Sequence, residues 1–266
     1  MVDKQIILAQ LLDMSRYLGD PSRRYAILGE GNTSAQSGTG TFYVKASGVR
    51  LANIEREGFV ETRSDIILGL LERERVSDDD VKETLMESRV DQAAEARPSV
   101  ETFLHAVLLQ FDGVNFIGHT HPVEVNGVLC SKSAEQVLSG ALFPDQIVYC
   151  GYPALYVPYV DPGVELAVYL HGRVNQYVQE HGYNPKVIFV QNHGLIALGG
   201  SSAEVISTTD MAVKSCEVLA RASCLGGPNF LPEEAALRIA TRPDEAYRKD
   251  KVGEVVEPSR VVHPPR

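Results

Sequence analysis

Basic residues are in short supply in this 266-residue sequence: 25 Lys and Arg stand against 35 Asp and Glu, a formal net charge of −10. A broad nucleic-acid surface needs clustered cations, so the balance argues against nucleic acid as a partner. It leaves room for a small anionic substrate, because one pocket of backbone N–H groups can hold a phosphate inside an acidic protein. Cysteine is scarce as well. Cys130, Cys150, Cys216 and Cys224 show no C-x-x-C spacing, which argues against a disulfide framework and for a reducing compartment. No apolar run approaches the roughly 20 residues of a bilayer span. The stretch from Met1 to Gln5 leads straight into an amphipathic pattern, with no basic segment and apolar core of a signal peptide. The expectation is a cytoplasmic protein with no membrane partner. Two nucleotide signatures are missing too. In Gly29-Glu30-Gly31-Asn32-Thr33-Ser34 the position three after Gly31 is serine, so the dinucleotide fingerprint fails, and no Gly-Lys-Ser/Thr marks a Walker loop.

What is present is an ordinary globular composition, 44% apolar and 23% charged, on a chain long enough to bury a core without staples. Helical spacing is expected over residues 3–18, 65–71, 100–110, 124–129, 134–138, 164–179 and 202–222, with a short helix or solvated loop at Asp78-Asp79-Asp80. Strands are expected at 25–28, 41–45, 114–117, 146–149, 155–159 and 186–190, the last with a hairpin partner at 195–198. Strands and helices interleave without a strict βαβ rhythm, so the reading is an α/β domain with helices covering a mixed sheet. Residues 1–225 form that domain. Residues 226–266 add a C-terminal helix and a tail with Pro258, Pro264 and Pro265, packed on the same domain.

The chemistry concentrates in a few segments. His119-Thr120-His121 follows an apolar run, and on a strand side chains at i and i+2 share a face, so both imidazoles could grip one metal ion. A capping histidine and a solvated one would read the same way. His193 also follows an apolar strand, Val187-Ile188-Phe189-Val190, and precedes Gly194, where backbone can pass close to a ligand. Three neutral nitrogen ligands with one open position are the pattern of a catalytic zinc site. His105 sits mid-helix as a core residue, and His171, His181 and His263 read as surface groups. Glu101 falls in the first turn of a helix for which Ser99 is the cap candidate, a position where carboxylates are favoured with or without chemistry. His105, four residues on, can touch and orient it. The Asn32 loop, the Ser47-Gly48 turn and Ser99 could each offer donors to an anion, or could simply be turn chemistry.

Taken in order, Gly31-Asn32-Thr33-Ser34, Ser47-Gly48, Pro98-Ser99-Val100-Glu101, His119-Thr120-His121 and Asn192-His193-Gly194 resemble the class II aldolase/adducin family over roughly residues 5–225. The wording GEGNTSAQ, VKASG, RPSVETFLHA and VPYVDPG looks most like the aldolase part of fused rhamnulose-phosphate aldolase–dehydrogenase proteins, without a dehydrogenase segment in these residues. The resemblance implies a three-layer αβα fold around a mostly antiparallel mixed sheet. It implies zinc on His119, His121 and His193, and Glu101 as the base that moves a proton. A substrate phosphate would be held by Asn32, Ser47, Gly48 and Ser99, and Lys45 just before the turn could add its charge, unless it is a solvated strand residue. Further implications are a homotetramer and a catalytic tyrosine from a neighbouring subunit, for which Tyr149, Tyr152 and Tyr156 lie in the right region. The implied reaction is cleavage of a ketose 1-phosphate to dihydroxyacetone phosphate and an aldehyde. Related members are sugar-phosphate 4-epimerases, decarboxylases and adducin-like binding proteins that have lost the metal site. Family epimerases lack the glutamate, and Glu101 with the full triad favours the aldolase.

Overall fold

Asp3 opens the first helix, its carboxylate accepting the Gln5 N–H, and α1 (Lys4–Leu18) follows before Gly19 ends it. The computed structural model describes residues 3–242, so the expected tail with its prolines lies outside the described residues. After α1 come β1 (Asn32–Gly38), β2 (Thr41–Lys45) and β3 (Phe59–Arg63), then α2 (Ser64–Leu71), α3 (Asp78–Glu87) and α4 (Thr102–Leu108). The chain continues through β4 (Phe116–Thr120), α5 (Val123–Leu129), α6 (Ala134–Leu138), α7 (Pro144–Cys150) and β5 (Leu155–Val157). The described residues end with α8 (Val164–His181), β6 (Val187–Val190), β7 (Gly194–Gly199), α9 (Ser202–Ser223) and α10 (Glu233–Ala240). No helix among the described residues is long and apolar enough to cross a membrane.

The strands form one seven-stranded sheet in the order β3-β2-β1-β4-β7-β6-β5. Every pairing is antiparallel except β5 with β6. This is the expected mixed, mostly antiparallel sheet. Because side chains alternate along a strand, each central strand feeds two cores. Ile188, Val190, Ile196 and Leu198 pack with Phe103, Leu104 and Leu108 of α4 and Leu166 and Leu170 of α8. Val187, Phe189, Leu195 and Ala197 pack with Leu11 and Met14 of α1, Val125 of α5 and Val205 and Ala212 of α9. Helices therefore cover both faces, as three-layer packing requires.

Three expected elements differ. Residues 25–28 are not a strand: Arg24 and Leu28 both have left-handed backbone, at φ 58° and 59°, which breaks an extended run. The strand lies instead at β1, in the polar stretch read as a loop. Residues 146–149 are helical within α7, whose first residue is Pro144; proline is pre-organised for that position and the β-branched run after it does not override it. β4 starts two residues later than expected and runs through Thr120, so His119 lies inside it rather than beyond its end.

Gly118 sits between the two faces of β4 with no room to spare. A Cβ there would lie 2.7 Å from Val205 Cγ1 and 3.0 Å from Leu18 Cδ1, the α9 and α1 side chains that cover this strand. Overpacking of this kind costs about 1–3 kcal/mol, so Gly118→Ala should lower the melting temperature by about 2–10 °C. Calorimetry checks it, and an unchanged midpoint would contradict this packing.

Candidate metal centre

The site is built where three strands end together. β1 pairs with β4 so that Asn32 lies opposite His119, and β4 pairs with β7 so that His119 lies opposite Ile196. Asn32, Ser34, Ile117 and His119 share the face that α4 covers, because Ala35, their out-of-phase neighbour on β1, packs in the α1/α9 core. His121 follows β4 directly and its backbone N–H donates to the Tyr25 carbonyl at 2.8 Å. His193 occupies the turn between β6 and β7, where Asn192 takes left-handed backbone at φ 54°, a conformation asparagine tolerates well. At Gly194 an added Cβ would lie 2.5 Å from the His121 ring, so glycine is what lets the turn approach that histidine.

The three rings face one another. His119 Nε2 lies 3.2 Å from His193 Nε2 and 3.0 Å from His121 Nε2. Ring centroids are 4.8, 4.8 and 5.1 Å apart, with edge-on packing. These nitrogens form a group that can hold a metal ion. Their outer nitrogens are placed differently. His119 Nδ1 donates to the Leu195 carbonyl at 3.0 Å, which leaves Nε2 with its lone pair. His121 Nδ1 is 3.4 Å from Glu30 Oε2, while His193 Nδ1 is buried without a partner among the described residues.

The arrangement fits zinc on the chemistry of its donors. Ligand nitrogens about 2.0–2.1 Å from a tetrahedral zinc stand about 3.3 Å from each other, close to the spacing of these rings. Lone pairs pointed at one another repel unless a cation lies between them. His119 is fully buried, while His121 and His193 are each partly exposed.

Glu101 completes the group. Its Oε2 accepts from Asn32 Nδ2 at 2.6 Å and lies 3.5 Å from His119 Nε2. Its Oε1 lies 3.1 Å from His193 Nε2, without the alignment of a hydrogen bond. Burial pushes the carboxyl up, but His119 and then His193 more than offset this and hold it well below the usual carboxylate range. The helix begins two residues later than expected: Glu101 is the N-cap residue of α4 and not a residue of its first turn. Ser99 still acts on that turn, its Oγ accepting the Glu101 N–H at 3.3 Å and its carbonyl the Thr102 N–H. The expected Glu101–His105 contact is bridged by Asn32, whose Oδ1 takes His105 Nε2 at 2.5 Å.

The other expected residues gather beside this centre. Backbone pairing of Ser47 with Arg97 and of Lys45 with Ser99 brings the exposed Ser47-Gly48 turn against Ser99. Lys45 is no solvated strand residue. It is 2% exposed and its ammonium donates to the Val49 and Ala46 carbonyls, stapling the turn from beneath. Burial lowers its pKa, partly offset by Glu101. Asn32 has its side chain committed to Glu101 and His105, with one amide N–H to spare. Among the tyrosines, the Tyr149 and Tyr152 carbonyls accept from Thr208 and Tyr183 hydroxyls, and Tyr156 packs against the α1/α9 core. Glu30, beside His121, went unassigned in the sequence; its position in a Gly-x-Gly loop gave no pattern to find it by.

Residues 9–220 match the family model described as the class II aldolase and adducin N-terminal domain. An uncharacterized oxidoreductase of Bacillus subtilis, YuxG, is 26% identical over 197 residues, covering 71% of this chain and 26% of that protein. The chain thus spans about a quarter of the length of that curated relative. The N-terminal class II aldolase domain of a conserved Thermoplasma acidophilum protein superposes with a TM-score of 0.63 at 25% identity, covering 80% of this chain and 93% of that one. An L-fuculose 1-phosphate aldolase superposes with a TM-score of 0.67 at 16% identity, covering 93% and 98%.

Purified protein should carry about one zinc per chain, since one three-nitrogen site is present among the described residues. His193→Ala should lose most of it with the circular dichroism unchanged. Full occupancy in that variant, read by elemental analysis, would remove His193 from the ligand set.

Proposed function

The chain belongs to the class II aldolase and adducin family, and from that premise we propose that it is a zinc-dependent aldolase cleaving a ketose 1-phosphate of the rhamnulose or fuculose type. The products would be dihydroxyacetone phosphate and an aldehyde. The observation that carries this reading is a buried carboxylate turned toward the point where three imidazole nitrogens converge. Zinc, when bound by His119, His121 and His193, supplies a Lewis acid that draws electron density from a carbonyl beside the breaking bond.

The remaining work falls to the chain's own residues. Glu101 exchanges a proton with the substrate carbon next to the carbonyl. It is suited to this because water is largely excluded around it, and one of its oxygens is pinned by Asn32 while Oε1 has no hydrogen bond. The substrate phosphate binds at the Ser47-Gly48 turn, where the Ser47 hydroxyl is exposed and the Ser99 hydroxyl keeps its proton free to donate. Lys45 lies beneath that turn and contributes its charge through the backbone it holds. The spare N–H of Asn32 is assigned to the same anion. Val100, next to Ser99 in the chain, has no hydroxyl to offer that anion and is 45% exposed.

The setting proposed is cytoplasmic and the assembly a homo-oligomer. An adducin-like binding role is disfavoured by the completeness of the histidine and carboxylate set.

Glu101→Gln keeps the shape of the side chain and removes its charge. Zinc content should persist, while exchange of the C3 proton of dihydroxyacetone phosphate with deuterium should fall by about 100-fold or more. Exchange at the wild-type rate, followed by NMR, would take the base role away from Glu101.

A further inference from the structure

One buried histidine lies outside the metal cluster and outside every step assigned above. His105 stands one turn beyond Glu101 on α4 and is fully buried. Its Nδ1 lies 2.7 Å from Ser34 Oγ and its Nε2 lies 2.5 Å from Asn32 Oδ1. Ser34 and Asn32 are alternate residues of β1, so their side chains share a face, and His105 reaches across both. Asn32 then donates from Nδ2 to Glu101 Oε2 at 2.6 Å. All four residues are buried.

The direction of each proton follows from the partners. An amide oxygen carries no hydrogen, so His105 must present N–H at Nε2. A neutral imidazole then has only a lone pair at Nδ1, which accepts the Ser34 hydroxyl proton. Burial, reinforced by His119, pushes the His105 pKa down to about 3, so the ring stays neutral at physiological pH. The carboxylate and the histidine together set the amide of Asn32. Turned over, Asn32 would present its oxygen to a carboxylate and its N–H₂ to the Nε2–H, two like-to-like contacts. The chain of donors therefore runs one way, from Ser34 through His105 and Asn32 to Glu101.

We propose that His105 is a positioning residue, which fixes the amide of Asn32 and through it holds the Glu101 carboxylate facing the histidine cluster. The proposal rests on the aldolase reading for its kinetic consequence but not for its geometry. Asn32 has two duties in this account, an acceptor for His105 and a donor to Glu101, with only its second N–H left for an anion.

His105→Leu removes the donor at similar bulk, and His105→Gln restores an N–H that can reach Asn32. Zinc content should match wild type in both. C3 proton exchange should fall about 10–100-fold in His105→Leu, the range seen when outer partners of a site are removed. The loss should lie in kcat with KM little changed, and His105→Gln should recover most of it. In the crystal structure of His105→Leu, the Asn32 amide should have left Glu101. Should that variant fail to fold, Ser34→Ala frees Nδ1 for the other tautomer and should lower exchange by several-fold. An exchange rate equal to wild type in His105→Leu, or in Ser34→Ala where that is the variant that folds, overturns the proposal. So does an Asn32–Glu101 bond that persists in the crystal of the variant used. If wild-type protein exchanges no C3 proton, the aldolase reading falls, and the crystal structures still decide whether His105 sets Asn32.

Discussion

The antiparallel pairing of β4 with β1 on one side and β7 on the other is the constraint on which the rest of the site depends. It sets Asn32 opposite His119 and brings the β6–β7 turn, with His193, to the same end of the sheet. A slip of one residue in either ladder would turn His119 to the α1/α9 face and separate it from Glu101. Both cores act against such a slip. Phe116 and Ile117 are buried on opposite sides of β4, and Gly118 has no space for a different side chain. The packing that holds the sheet together is thus also what aims the three histidines.

Around that geometry the site concentrates polar groups where apolar ones would pack more cheaply. Glu101, Asn32, His105 and Ser34 are all buried, and each is paired within the group. Unpaired, groups like these would cost about 1–3 kcal/mol each, so the network holds only while it is complete. Lys45 follows the same logic, its ammonium buried against two carbonyls of the turn it supports. Buried polar groups are gathered where the chemistry is proposed to take place, and the hydrophobic cores on either side hold the frame.

Much of this was legible in the sequence because it was written locally. The histidines stand in short motifs at strand ends, and the positions of α1, α8, α9, β2 and β6 follow from periodicity and caps. β1 was not legible, since Asn32-Thr33-Ser34-Ala35-Gln36-Ser37-Gly38 has the composition of a loop. Its burial is made possible by partners far away in the chain: Ser15 for Thr33, His105 for Ser34 and Glu101 for Asn32. No local pattern reports those. The run 146–149 misled in the opposite way, because its β-branched residues suggest a strand while Pro144 and the packing of α7 on α9 make a helix. Lys45 was read as a charge for the anion or, failing that, as a solvated strand residue, and only the fold of the turn above it shows why it is buried.

The aldolase reading stands or falls on bond cleavage itself. Zinc-loaded protein mixed with rhamnulose 1-phosphate or fuculose 1-phosphate, and in parallel with the free ketoses, should release dihydroxyacetone phosphate from a phosphorylated sugar and much less triose from the free one. A coupled glycerol-phosphate dehydrogenase assay reads the phosphorylated product, and chromatography reads the free triose. Conversion of a sugar phosphate to its 4-epimer without triose release, or a clear preference for the unphosphorylated ketose, would contradict it.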